Sequence, residues 1–566
     1  MIGAELMAEA VRRQGVNTVF GLPGHLESFF GALQDRKMRL IHMRHEAAVV
    51  LAADGYARTR CGVGFACVTA GPGLANAVGG LATSFEACVP LVVFAGRNPL
   101  NTVDSATFQD FDHTRAVRQM TKWAATVYSP SRLGEYIDRA CRTALSGRPG
   151  PVLLEIPREV AEGAVNGDVA SDSLRPLLPQ RRPLAGEEAV GRAADLLAEA
   201  ERPLIIAGNG AYWGNAGPGL RKLMRDFRLP VLSKGLARGL VPEDMKLGFP
   251  WPVAYPASHQ SDVVLIAGAR MGHPIGYAAP PLFHEKARYI QIDIDGTEIG
   301  RNRYVEAPVV GDCGPALERI AEALDRRGYS FRDPGWLIPV LQERLDRIAE
   351  VGRENDGQSH PLKMARELAI RMPDDAIFVG DGANCLNWYK AVIPVKAAPG
   401  WIDQDPFGSM GVGLPLAIGV VAAEQEKGSN RPVFLGTGDG ALGQYLGELA
   451  TASLHGLSFF IMVANDGYWG ASRNITLRLF GDTYGTNLNQ SRDDLVAEGL
   501  ECRGELAATP AEVGPSFDRA LAAVRAGKPA LVNVLVDPKS GDLREDPRLQ
   551  MVSFNSNWFT YRSGAK

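Results

Sequence analysis

Residues 432–443, PVFLGTGDGALG, set a single carboxylate, Asp439, among glycines at the end of an apolar run. Glycine-rich turns that follow a strand usually cradle phosphate, and a bare carboxylate there repels it. A divalent cation between Asp439 and the phosphate removes the conflict. Magnesium is the natural candidate, a hard ion that prefers oxygen ligands and bridges diphosphates. A helical pattern, ALGQYLGELATAS, follows, so its first amides can face a diphosphate. The next apolar run, FFIMVA, ends in Asn465-Asp466-Gly467. Adjacent strand ends in a parallel sheet lie side by side, so Asp439, Asn465 and the Gly467 carbonyl can converge on one ion. Alone, the glycine cluster is half of a dinucleotide loop and equally a plain turn.

The elements that must position these residues recur along the chain. Three segments alternate short β-rich runs with helical patterns, the mark of parallel α/β domains. The first holds TVFGLPG, IHMRHE, GFACVTAGPG, PLVVFAG and PVLLEIP; the second RPLIIAGNG, LPVLSKG, DVVLIAGARMG and ARYIQIDID; the third DAIFVGDGAN, PVFLGTGDG, FFIMVANDG and PALVNVLVDP. A proline-rich basic stretch (173–188) and RRGYSFRDPGWLIP (326–339) read as linkers. The expected fold is α/β, with three doubly wound parallel-sheet domains at 1–170, 189–330 and 360–538, and a tail at 539–566. Three similar units suggest duplicated ancestry, yet no clean short repeat is present.

Bulk numbers narrow the function. A chain of 566 residues with 46% apolar and 22% charged content is an ordinary globular protein too long for one core. Sixty basic against 64 acidic residues, net −4, give no electrostatic case for nucleic acid or anionic membrane. Seven scattered cysteines without a CxxC pair fit a reduced, cytoplasmic protein. The opening MIGAELMAEAVRRQGV reads as an amphipathic helix, not a signal peptide, and no apolar run is long enough to span a membrane.

Gly-Asp-Gly followed about 25 residues later by Asn is the motif of thiamine-diphosphate (ThDP) enzymes. RHEAA (44–48), TAGPGLANA (69–77), ATFQDF (106–111) and DPFGSMGVGLPLAIG (405–419) resemble the acetolactate synthase group of that family. The group includes benzaldehyde lyase, oxalyl-CoA decarboxylase and 2-hydroxyacyl-CoA lyase. The resemblance covers most of the chain. It implies a pyrimidine-binding domain, a central nucleotide-type domain and a diphosphate-binding domain, in that order. It further implies that Glu46 is the carboxylate hydrogen-bonding the pyrimidine N1′ and promoting loss of the thiazolium C2 proton. Gly408 would accept from the 4′-amino group through its carbonyl, and Met410 would wedge between the two rings. The loop Gly438, Asp439, Gly440 and Ala441 would meet the diphosphate, and magnesium would be held by Asp439, Asn465 and Gly467. One departure is Ala464, where most relatives carry a first Asn. Because the ligand position is the second, metal binding is expected to survive.

On the substrate side, Gln109 and His25 are the candidate catalytic residues that accompany Glu46. His25 lies in a loop one residue shorter than the benzaldehyde lyase pattern, so a solvated loop histidine is the alternative. Phe108, Asn384, Trp469, Arg544, Arg548, Trp558 and Arg562 are candidate substrate contacts. GDGANCLNW (380–388) resembles the oxalyl-CoA decarboxylase and 2-hydroxyacyl-CoA lyase branch, and YWGASRN (468–474) resembles benzaldehyde lyase. IQIDID with Gly268-Ala269-Arg270 is a candidate ADP site, with FAD or no ligand as alternatives. The preferred activity is that of a 2-hydroxyacyl-CoA lyase, ahead of an acetolactate synthase or benzaldehyde-lyase-like carboligase, and then oxalyl-CoA decarboxylase. A catalytically dead relative kept for assembly is the non-enzyme alternative. The enzyme is expected to be at least a dimer, with a tetramer as the default, because the resemblance places Glu46 over the partner's cofactor. The aromatic and arginine-rich tail is expected to close over the active-site entrance.

Overall fold

The computed structural model describes residues 1–166, 174, 182–329, 334–350 and 358–540. It contains three six-stranded sheets, parallel throughout. The first comprises β1 (Thr18–Gly21), β2 (Arg39–His42), β3 (Gly64–Val68), β4 (Leu91–Arg97), β5 (Trp123–Thr126) and β6 (Val152–Pro157), in the order β2-β1-β3-β4-β6-β5. In the second, β7 (Pro203–Ala207), β8 (Val231–Ser233), β9 (Gly248–Pro250), β10 (Val263–Ala267), β11 (Arg288–Asp293) and β12 (Ala307–Val310) run β12-β11-β10-β7-β8-β9. The third has β13 (Ile377–Gly380), β14 (Trp401–Asp403), β15 (Val433–Gly438), β16 (Phe460–Asn465), β17 (Arg503–Ala507) and β18 (Ala530–Leu535), ordered β14-β13-β15-β16-β18-β17.

The first and third sheets therefore share one topology, and the middle sheet has the nucleotide-binding order 3-2-1-4-5-6. Central strands such as β3, β6, β10 and β16 are buried along their whole length, as parallel strands covered on both faces must be. The architecture is the three-domain α/β fold expected from the strand-then-glycine pattern. Among the described residues no helix is long and apolar enough to cross a membrane.

The three sheets each have a strand-order reversal near the middle, between β1 and β3, β7 and β10, and β13 and β15. Loops leaving the strand ends on either side of such a reversal diverge, which opens a crevice for ligands.

The first and third domains are joined by two buried helices, Glu46–Arg60 and Gly413–Glu426. They cross backbone against backbone. A Cβ on Gly55 would lie 2.2 Å from the Leu416 carbonyl oxygen, and one on Gly419 would lie 1.9 Å from that of Ala52. The first of these helices begins with Glu46, so the crossing fixes the orientation of the segment that carries this carboxylate.

Candidate active site

The crevice between β13 and β15 is a cavity lined by residues of the third domain and by Ser540 at the start of the tail. Gly382, Ala383 and Asn384 come from the end of β13; Gly438, Asp439, Gly440 and Ala441 from that of β15; Ala464 and Asp466 from that of β16. Met410 and Trp469 complete the wall. Asp439 accepts from the Gly467 amide at 3.0 Å. Burial, and then the neighbouring Asp466 carboxylate, push the Asp439 carboxyl up to about 7. Two neighbouring carboxylates repel each other, and a cation between them would remove that repulsion.

The donor set fits a hard divalent ion. Asn465 is fully buried and donates through Nδ2 to Ser491 O (2.9 Å) and Asn533 Oδ1 (3.1 Å), leaving its Oδ1 without a partner. The Gly467 carbonyl accepts from the Leu488 amide at 2.7 Å and keeps a second lone pair. One carboxylate, one amide oxygen and one carbonyl form a typical oxygen set for a diphosphate-bridging cation. Among the described residues no group of three or more His, Cys, Asp or Glu forms another candidate metal site.

Two sequence expectations are refined here. Trp469, a candidate substrate contact, lines the cavity and also packs on the Gly440 loop: a Cβ on Gly440 would come within 2.7 Å of its indole. Asn384 lines the same cavity and has a buried Oδ1 without a partner.

A residue absent from the sequence candidates is Asp381. It belongs to a second Gly-Asp-Gly, 380–382, but its fully buried carboxylate turns toward backbone. Oδ1 accepts from Gly382 (2.6 Å) and Gly411 (3.2 Å), and Oδ2 from Gly413 (2.8 Å). Burial still pushes its carboxyl up to about 6. Asp381 thus ties the end of β13 to the loop that carries Gly408 and Met410. Asp381→Asn keeps one oxygen but turns an N–H group toward the Gly413 amide. The expected result is a folded protein whose Tm drops by several degrees and whose ThDP affinity falls on the order of tenfold. Unchanged melting and an unchanged ThDP titration would show that the loop needs no carboxylate.

The other predicted half-site lies at the same edge of the first sheet. Glu46 opens its helix, 8% exposed, and accepts from Asn76 Nδ2 at 3.0 Å. His25 bridges the β1/β3 reversal. Asn98 donates through Nδ2 to the Phe108 carbonyl (2.7 Å), so its Oδ1 faces His25 Nε2 at 3.2 Å and can only accept. The hydrogen-bond network therefore assigns neutral His25 a proton on Nε2, with Nδ1 taking the Thr69 hydroxyl at 2.8 Å. Both ring nitrogens are engaged, and His25 reaches a substrate only by releasing one partner. Gln109 sits at φ +62°, its backbone against Gly71. Phe108 projects outward, 81% exposed.

Glu46, His25, Phe108 and Gln109 are absent from the wall of the Asp439 cavity. Arg544, Arg548, Trp558 and Arg562, with the whole of the expected lid beyond Ser540, lie outside the described residues.

The middle sheet has its own crevice at the β7/β10 reversal, a cavity of about 300 Å³. Gly208 and Gly210 line one side, Gly268 and Arg270 the other, and Asp293 ends β11. Burial pushes the Asp293 carboxyl up to about 6. Arg148 reaches in from the first domain.

Three family models match the chain: "Thiamine pyrophosphate enzyme, N-terminal TPP binding domain" over residues 1–116, "central domain" over 190–320, and "C-terminal TPP binding domain" over 381–534. Similar curated proteins include an acetolactate synthase large subunit of Mycobacterium tuberculosis, 32% identical over 95% of this chain and 96% of its own. Human 2-hydroxyacyl-CoA lyase 1 is 27% identical over 96% of both chains. An acetolactate synthase of Arthrospira platensis is 30% identical over 86% of both.

Proposed function

The chain belongs to the thiamine pyrophosphate enzyme family, and from that premise we propose that it makes or breaks a carbon–carbon bond next to a carbonyl. Thiamine diphosphate, when bound, supplies a carbon nucleophile and an electron sink. The chain's own residues bind, orient and protonate around it. Asp439, the Asn465 Oδ1 and the Gly467 carbonyl would hold Mg²⁺ against the diphosphate, with Gly438, Gly440 and Ala441 offering close backbone approach. Met410 would set the angle between the rings, and Gly408 would accept from the 4′-amino group. Glu46, dry and held by Asn76, would keep a proton at the pyrimidine N1′. Gln109 would hydrogen-bond a hydroxyl or carboxylate of the bound intermediate.

Our preferred activity is that of a 2-hydroxyacyl-CoA lyase, releasing formyl-CoA and an aldehyde or ketone, or running in reverse as a condensation. The observation that carries it is Asn384, which lines the cavity from the 380–388 segment that resembles this branch and keeps a buried Oδ1 without a partner. The second reading, an acetolactate synthase-like carboligase of 2-oxo acids, is favoured by the relatives at 30–32% identity. The middle cavity would take ADP, its glycine turns meeting the diphosphate and Asp293 the ribose. Purified enzyme with ThDP and Mg²⁺ is offered a 2-hydroxyacyl-CoA and, separately, pyruvate, while bound nucleotides are identified by mass spectrometry. Formyl-CoA release is the expected result. Turnover of pyruvate alone would replace the first reading with the second.

A further inference from the structure

Below the Gln109 loop lies a buried pair to which the proposed chemistry gives no role. His113 and Glu155 are 1% and 0% exposed, with His113 Nδ1 3.0 Å from Glu155 Oε1. On its far side His113 Nε2 accepts the backbone N–H of Gly71 at 2.8 Å. A neutral imidazole accepts at only one nitrogen, so its proton is on Nδ1, toward the carboxylate. Burial presses the Glu155 carboxyl upward, but the neighbouring His113, the Thr126 hydroxyl and the charge of Arg97 outweigh it and hold the carboxyl below its ordinary value.

Gly71 is where this pair meets the substrate side. Its φ of +53° and its contacts leave no room for a side chain, since a Cβ would lie 2.8 Å from the Gln109 carbonyl oxygen and 3.0 Å from the Gln109 Cα. The loop above is held in a costly conformation, with Asp104, Ala106 and Gln109 all at positive φ. Such backbone persists only where its surroundings over-determine it. Here they include the Asn98 bond to the Phe108 carbonyl and the Phe111 ring set edge-on to the His113 ring, centroids 5.6 Å apart.

We propose that His113, oriented by Glu155, is a positioning residue that fixes the Gly71 amide and through it sets Gln109 in the active site. The Gly71 N–H sets the tautomer, and the Glu155 carboxylate, 3.0 Å from Nδ1, favours a proton on that nitrogen. The Gln109 part rests on the reading of that residue given above. Removing the acceptor leaves the Gly71 N–H buried and unpaired, which releases the Gly71–Gln109 contact rather than the sheet beneath it.

The test pairs hydrogen exchange with a double-mutant cycle on the full-length ThDP and Mg²⁺ holoenzyme. In His113→Leu, exchange in residues 69–76 and 103–112 is expected to accelerate on the order of tenfold, with the rest of the first domain unchanged. Its kcat is expected to fall roughly 30-fold while the ThDP titration stays within about threefold, and in a Gln109→Ala background the same change is expected to cost less than about threefold more. His113→Gln, which still brings an oxygen to Gly71, recovers most of the loss; His113→Asn, one carbon shorter, does not. Unaltered exchange at 69–76, fully multiplicative kcat losses, or a Gln variant no better than Asn would overturn the proposal. Should His113→Leu fail to fold, the Gln and Asn variants decide it. A fully active Gln109→Ala would remove the role given to Gln109, and the exchange data would still decide the clamp.

Discussion

Asp439→Ala is expected to lose turnover by about 1,000-fold or more and to emerge from gel filtration without ThDP. Asp439 is the one carboxylate in the proposed donor set; the others are the Asn465 Oδ1 and the Gly467 carbonyl. Two neutral oxygens hold magnesium poorly, and without the ion a diphosphate faces the Asp466 carboxylate directly. The fold should survive, because the side chain makes one cross-strand bond, to the Gly467 amide. ThDP content by chromatography, circular dichroism and kcat together check this. A variant that keeps stoichiometric ThDP and activity within about tenfold would remove the metal assignment.

Glu46→Gln is expected to behave differently, keeping both fold and ThDP while losing turnover on the order of 100-fold or more. The amide is nearly isosteric and its Oε1 still accepts from Asn76. It carries no charge with which to hold a proton at N1′. Cofactor retention should be normal because the cavity around Asp439 is built by the third domain and Ser540. Near-normal kcat would remove Glu46 from the mechanism. The pair of variants also tests assembly. If each site takes Glu46 from one subunit and Asp439 from the other, a mixed dimer has one intact site and one doubly damaged one. Refolding the two dead proteins together at equal amounts should then restore about a quarter of the activity. No restoration would place both half-sites in one chain.

How much of this was legible in the sequence depends on the kind of signal. Asp439 and its glycines could be read because an apolar run, a glycine cluster and a lone acid conflict unless a cation is present. Asp381 stands in the same Gly-Asp-Gly triplet at the neighbouring strand end, yet its carboxylate faces three backbone amides. Letters and spacing are identical; only the direction of the side chain differs, and tertiary packing sets that. For Trp469 the sequence leaves the role open, since an aromatic after a ligand loop looks the same whether it meets substrate or covers Gly440. The pair of His113 and Glu155 is separated by 42 residues and joined only once β4, β5 and β6 lie side by side. The shared topology of the first and third sheets was equally hidden, because crossover geometry preserves strand order without preserving sequence.

The crossing of the Glu46–Arg60 and Gly413–Glu426 helices bears on how such proteins can be recombined. Where Gly55 faces Leu416 and Gly419 faces Ala52, the mating surfaces are main chain, and complementarity depends on what is absent. A chimera with its first domain from one relative and its third from another brings together two faces that were never fitted. One added methyl group on either would hold the helices apart. Exchanging the middle domain alone leaves that seam intact. The middle domain meets the third along main chain of its own, where a Cβ on Gly239 would lie 2.6 Å from the Ala397 carbonyl carbon, so its exchange has that second seam to match.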